Sequence, residues 1–194
     1  MINYELIAKA IEYYTCDDWK YIDLPWNVDS KYIEVTLPSE ANKVKLVYPR
    51  GNTLFMVGSA EQSFLAYADK TKLRESKKLM SVTPCFRDEE HTTKYSFPYF
   101  LKLELFWSYP CCRLDIKETT LEVAKQVQDF MLHDAGLDTY IIETGKDTFD
   151  LNCNTKDGPI ELGSYGYREY FGFGWIYGTG IAEPRTSLCI KNLS

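Results

Sequence analysis

A chain of 194 residues, 45% hydrophobic and 15% aromatic, carries enough apolar side chains for one well-buried core, and residues 1–194 read as a single domain. The formal net charge of −6 excludes gripping a nucleic-acid backbone as the main task, which needs clustered Lys and Arg, and leaves only a local basic groove open. No stretch approaches the roughly 20 apolar residues that span a bilayer, and Met1-Ile2-Asn3-Tyr4-Glu5 lacks a signal-peptide pattern, so a cytoplasmic location and no membrane partner are expected.

The elements follow from periodicity and punctuation. Asn3 is a good N-cap for a helix with Tyr4, Ile7, Ala8, Ile11 and Tyr14 at helical spacing. A short strand follows at 21–25, where Pro25 suits a sheet edge or strand end. Ser59-Ala60-Glu61-Gln62 fits a capping box and opens a helix through Phe64, Leu65 and Tyr67. Residues 79–86 and 99–107 have strand composition, and the polar, turn-rich stretch 90–98 between them makes a long antiparallel hairpin. Thr119-Thr120-Leu121-Glu122 repeats the capping-box pattern for a longer helix, with Val123, Ala124, Val127, Phe130 and Met131 on one stripe and a stop at Gly136.

Residues 149–153 meet 159–162 across Lys156-Asp157-Gly158, a second hairpin whose Asp-Gly supplies the φ > 0 positions of a tight turn. A final strand at 173–177 leads through a glycine-rich turn, Gly178-Thr179-Gly180, into a short helix. Antiparallel strands with a few helices define an α+β fold, a mainly antiparallel sheet flanked by helices. The six cysteines, Cys16, Cys85, Cys111, Cys112, Cys153 and Cys189, form no CxxC pair, so free buried thiols are expected and neither a disulfide framework nor a zinc knuckle.

Chemistry concentrates in Thr83-Pro84-Cys85-Phe86-Arg87-Asp88-Glu89 and the return strand Tyr99-Phe100-Leu101-Lys102-Leu103-Glu104. Strand side chains alternate faces, so Arg87 and Glu89 share one face, and so do Phe100, Lys102 and Glu104, while Leu101, Leu103, Leu105 and Trp107 face the core. A guanidinium, a ring and carboxylates on one surface suit adenylation: charge neutralisation at an α-phosphate, stacking of a purine, and acceptors for amino groups. An ordinary hairpin face with salt bridges has the same composition. Further on, Gly178 to Leu188 places glycines, which permit close backbone approach to a ligand, ahead of a helix that begins at Arg185, where a phosphate is favoured.

Together these segments resemble motifs 2 and 3 of class II aminoacyl-tRNA synthetases, and the chain is similar to the seryl-tRNA synthetase family in particular. The likeness rests on Thr-Pro-Cys-Phe-Arg-x-Glu at 83–89, Phe-x-x-x-Glu at 100–104 and Gly-x-Gly-Ile-Ala-x-x-Arg-Thr at 178–186. Gly58-Ser59-Ala60-Glu61 resembles the family's amino-acid loop, Glu161-Leu162-Gly163-Ser164 its Glu-containing strand, and the 4–14 helix with the strand near Pro25 its dimerisation motif. The resemblance implies that Arg87 contacts the α-phosphate and substrate carboxylate, Glu89 reads the adenine amino group, Phe100 stacks on the ring and Arg185 grips the γ-phosphate. It further implies Glu161 and Ser164 at the triphosphate, Glu161 as a Mg2+ ligand, Gly178 and Gly180 at the nucleotide, and Ser59, Glu61 and Glu104 at the substrate's amino group or side chain.

Departures from the family shape the expectation. The 90–98 loop is short and lacks the family's second arginine; only His91 and Lys94 could replace that charge. The position near Ala60 that would supply the first cysteine of a zinc-dependent variant is not Cys, and nothing resembles a coiled-coil arm or anticodon domain. The expected activity is therefore an AMP-forming ligase, a homodimer, that uses ATP and Mg2+ to activate an amino acid or similar small carboxylic acid. It would hand the acyl group to a carrier protein or small amine rather than to tRNA, unless a partner subunit grips the tRNA. The alternatives are a non-catalytic paralogue that senses an amino acid or nucleotide, and a tRNA-acting accessory protein.

Overall fold

The computed structural model describes residues 1–36, 45–47, 53–88, 93–109, 115–170 and 172–193; Glu89, His91, Cys111 and Cys112 lie outside the described residues. Helix α1 (Tyr4–Cys16) starts where expected, the Asn3 side chain accepting a hydrogen bond from the Leu6 amide at 3.1 Å. Its buried stripe is Leu6, Ile7, Ala10 and Tyr14, turned from the expected one: Tyr4 is 68% exposed and Ala8 also faces solvent. Tyr4, Ala8 and Ile11 lie on the flank of a face centred between Ile7 and Ala10, which the same spacing allows.

Strand β1 (Lys20–Tyr21) is shorter than expected, pairing in parallel with β5 (Lys77–Phe86) for two residues before the chain turns toward Pro25. A small antiparallel sheet, β2 (Asn27–Val28), β4 (Thr53–Met56) and β3 (Lys45–Val47) in that order, and helix α2 (Ser30–Thr36) were not legible in the sequence pattern. Helix α3 (Ala60–Thr71) starts at the expected cap, the Ser59 hydroxyl accepting from the Glu61 amide at 3.3 Å.

Helix α4 (Ile116–His133) begins earlier than expected. Asp115 caps it, accepting from the Glu118 amide at 3.1 Å. Thr119 and Thr120 lie inside the helix, their hydroxyls donating to the carbonyls of Asp115 and Ile116 at 2.9 and 2.7 Å, so their capping-box signature is satisfied internally. The apolar stripe is as expected, and the chain leaves the helix through Gly136 at φ +67.

The main sheet has seven strands in the order β1-β5-β6-β10-β9-β8-β7, where β6 is Tyr99–Tyr109, β7 Tyr140–Gly145, β8 Thr148–Thr155, β9 Gly158–Tyr170 and β10 Phe173–Glu183. Every pairing except β1 with β5 is antiparallel. Both expected hairpins form: Cys85 lies opposite Phe100 and Ser81 opposite Glu104, and Thr155 opposite Gly158 closes the second turn. The glycine-rich turn does not form. Gly178, Thr179 and Gly180 lie within β10, which runs on to Glu183 and ends against helix α5 (Arg185–Lys191).

Helices α1 and α4 cover one face of the sheet. Tyr14, Leu103, Leu105, Val127, Phe130 and Ile181 share that core, with the Tyr14 and Phe130 rings 5.6 Å apart. Burying each such side chain contributes about 1.5–3 kcal/mol. On the other face α3 packs Phe64 and Leu65 against Phe106 and Trp175, with Phe64 stacked on Phe106 at 4.7 Å. Among the described cysteines Cys85, Cys153 and Cys189 are buried free thiols, whereas Cys16, at the outer side of the last turn of α1, is exposed against expectation.

Candidate active site

Beside the start of α3, the same sheet face forms the floor of a cleft of about 360 Å³. Ser59, Glu61, Arg87, Phe100, Glu104, Glu161, Ser164 and Arg185 all line it, brought from five separate elements and their connections. The parity reading of β6 holds: Phe100, Lys102 and Glu104 face the cleft, and Leu103 and Leu105 are fully buried on the other side.

Arg87 leaves the end of β5 exposed. Its Nε donates to the Gly58 carbonyl at 3.3 Å, and its guanidinium carbon sits 5.1 Å from the Phe100 ring centroid. Arg185 lines the same cleft from the first turn of α5. Its Nε donates to the Tyr95 carbonyl at 3.0 Å and its Nη1 to the Glu161 carbonyl at 3.1 Å, which fixes the fork in place. Glu161 itself is exposed on β9. Among the described residues no three His, Cys, Asp or Glu side chains cluster as a metal cage. Exposed carboxylates such as Glu161 and Asp88 in the lining suit Mg2+, which is commonly held by one or two carboxylates together with substrate phosphates and water.

Three buried acids line the cleft, Glu61, Glu104 and Glu183, the last accepting from the Asn3 and Ser187 amides and the Ser187 hydroxyl, each at 3.0 Å. Glu104 accepts from the Ser59 hydroxyl at 2.5 Å, the Lys102 ammonium at 3.0 Å and the Ala60 amide at 2.6 Å. Burial opposes its ionisation, yet Lys102, the hydroxyl and the amide hold its carboxyl below the usual range. Glu61 accepts from the Trp175 indole at 2.6 Å and from the Arg168 guanidinium. Burial pushes its carboxyl up, with Arg168 opposing. Cys85, on the same face of β5, has its thiol pushed up to about 11 by burial, which leaves it inert as a nucleophile.

Gly178 and Gly180 do not line the cleft. A Cβ on Gly178 would meet the Tyr165 ring at 2.8 Å, and one on Gly180 would meet Leu103 at 2.5 Å and Tyr14 at 3.0 Å. These glycines make room for core side chains. Gly180 is also the extra residue of a β-bulge: Thr179 pairs with Glu104 and Ile181 with Leu103, so Tyr177 and Thr179 face the cleft before the bulge and Ala182 after it. In β9, Gly163 and Gly166 likewise leave space for Thr179 and Tyr177.

Arg168, Tyr177 and Tyr95 are cleft residues that the sequence reading missed. Arg168 could have been found by continuing alternation along β9 from Ser164, through Gly166 to Arg168. Lys94, a candidate second phosphate cation, donates to Asp157 at 2.7 Å at the β8–β9 turn, where the Tyr95 hydroxyl and the Asn192 amide also converge.

No protein-family model matches the sequence, and no curated protein matches it. Among solved structures the fold is that of the class II aminoacyl-tRNA synthetase catalytic core. The matches include the cytoplasmic serine-tRNA ligase of Naegleria fowleri in complex with AMP, at 15% identity and a TM-score of 0.81 over 95% of this chain and 47% of that one. They also include the seryl-tRNA synthetase of Pyrococcus horikoshii complexed with ATP, at 16% identity and a TM-score of 0.74 over 95% of this chain and 49% of that one. The chain thus spans about half the length of these synthetases, and at such identities the likeness establishes the fold. No helix among the described residues is long and apolar enough to cross a membrane.

Proposed function

We propose that residues 1–194 form one catalytic domain that binds ATP and activates an amino acid or similar small carboxylic acid as an acyl-adenylate. The observation that carries this reading is the convergence of Arg87, Phe100 and Arg185, from distant parts of the sequence, on one cleft that buried acids also line. A carboxylate oxygen of the substrate attacks the α-phosphorus, and the bond from that phosphorus to the bridging oxygen breaks, so that pyrophosphate leaves with the electron pair. Arg87 neutralises the charge that grows at the α-phosphate, Phe100 stacks on the purine, and Arg185 receives the γ-phosphate. Glu161, with Ser164 beside it, would hold Mg2+, which supplies charge neutralisation between the phosphates. Ser59, Glu61 and Glu104 line the acid's own pocket.

The acyl group then passes to an acceptor other than tRNA, a carrier protein or small amine, which the acidic balance of the chain favours. The protein works in the cytoplasm as a two-fold dimer through α1 and the segment to Pro25, where the exposed rings of Tyr4 and Tyr21 support such a contact. The test is ATP–pyrophosphate exchange across amino acids and small carboxylic acids. Acid-dependent exchange is expected, and Arg87→Ala and Arg185→Ala should each lower it by roughly 100-fold or more, as for other preorganised charges at a reacting centre. Full exchange by both folded variants would remove the assignment.

A second reading, a non-catalytic sensor of nucleotide or amino acid, is favoured by the engagement of Arg185 with two carbonyls and of Lys94 with Asp157. ATP binding with no exchange for any acid would select it.

A further inference from the structure

Resting on the adenylation reading, the charges of the acid pocket bear on which acid it takes. Glu61 and Glu104, the two carboxylates assigned to the acid pocket, are each already matched by a cation of the chain, and the third buried acid of the cleft, Glu183, is occupied by the Asn3 and Ser187 amides and the Ser187 hydroxyl. Glu61 is 4% exposed and holds the Trp175 indole on Oε1 and the Arg168 guanidinium on Oε2. Glu104 is 2% exposed, with the Ser59 hydroxyl and the Lys102 ammonium on Oε1 and the Ala60 amide on Oε2. Arg168 is steadied from a second side, its guanidinium carbon 4.3 Å from the Tyr177 ring centroid.

An ammonium that leaves water loses hydration and must regain it as Coulomb attraction. Beside a lone carboxylate it does so. Beside a carboxylate that already holds a guanidinium or an ammonium, attraction to one partner and repulsion from the other largely cancel. A hydroxyl at the same carbon brings no charge to bury, can accept from Lys102 or Arg168, and can donate to a lone pair still open on either glutamate. We propose that the pocket selects a small carboxylic acid with a neutral hydroxyl on its α-carbon over the corresponding free α-amino acid, with Arg168 and Lys102 as specificity-determining residues.

The test compares adenylate mimics that differ in one group: sulfamoyl adenosine acylated with lactate or alanine, and with glycerate or serine, each titrated into the full chain by calorimetry. The hydroxyacyl member of a pair is expected to bind about tenfold tighter or better. Arg168→Gln, which frees Glu61, should shrink or reverse that ratio by strengthening aminoacyl binding, and Lys102→Gln, which frees Glu104, should do the same if the first variant does not fold. Aminoacyl mimics that bind the unaltered chain as tightly as hydroxyacyl ones overturn the substrate assignment and leave adenylation standing. An unchanged ratio in both folded variants overturns the roles of Arg168 and Lys102. Binding of no mimic at all overturns the adenylate site together with its substrate.

Discussion

At Gly178 an added Cβ would come within 2.8 Å of Tyr165 Cδ1 and 3.3 Å of a Val123 methyl. Tyr165 cannot yield, because it is fully buried and its hydroxyl donates to the Thr179 carbonyl at 2.8 Å. Gly178→Ala is therefore expected to destabilise the fold by roughly 1–3 kcal/mol, the usual cost of overpacking, while folded protein keeps its affinity for ATP. Denaturant unfolding and nucleotide titration check the two halves; weakened ATP binding at unchanged stability would return the glycine to a ligand role. The sequence invites the opposite conclusion, since Gly-Thr-Gly before a helix looks like a phosphate-approach loop. What distinguishes the cases is the identity of the cross-strand neighbours, Tyr165 and Leu103, which no local pattern contains. The reading of Phe100, Lys102 and Glu104 succeeded for the complementary reason, because alternation along β6 is unbroken from Tyr99 to Trp107.

Between elements, helices α2 and α3 are clasped by one carboxylate. Asp69 accepts from the Tyr32 hydroxyl at 2.6 Å and from the Lys31 ammonium at 3.2 Å. The Tyr32 hydroxyl, then Lys31, lower the Asp69 carboxyl from 3.8 to about 2. A depressed folded-state value means that the clasp stabilises above the unfolded value and loses that contribution as pH falls from about 4 toward 2. Asp69→Asn should accordingly lower the melting temperature at about pH 6 and leave little difference at about pH 2, and a pH-independent difference would show that charge is not what holds the two helices. The clasp could not be read from sequence, because α2 is a single short amphipathic stretch with one buried residue, Ile33. The start of α4 shows a different limit: Asp115 and Thr119 both offer cap chemistry, and the sequence pattern alone does not choose Asp115, whose side chain accepts from the Glu118 amide.

For the molecule as a whole, the α+β class and both principal hairpins were legible because turn residues and alternation agree. The strand order was less so, since β10 is inserted between β6 and β9, neither of which announces a missing neighbour. That insertion bears on how the chain is made. β10 is bonded to β6 from Gly174 opposite Tyr109 to Glu183 opposite Leu101, and to β9 from Phe173 opposite Tyr170 to Gly178 opposite Tyr165. A ribosome delivers it after every other strand of the sheet. Until it emerges, the nascent chain holds two half-sheets whose inner edges both carry unpaired backbone groups, the template for pairing with another copy. Translation stopped after residue 172 is expected to give insoluble product while the full chain stays in the supernatant, and equal solubility of the two would overturn this. The centre of the sheet is thus also the last moment of its synthesis, and slow codons or a scarcity of holding chaperones over residues 173–183 should lower the yield of soluble protein more than the same delay elsewhere.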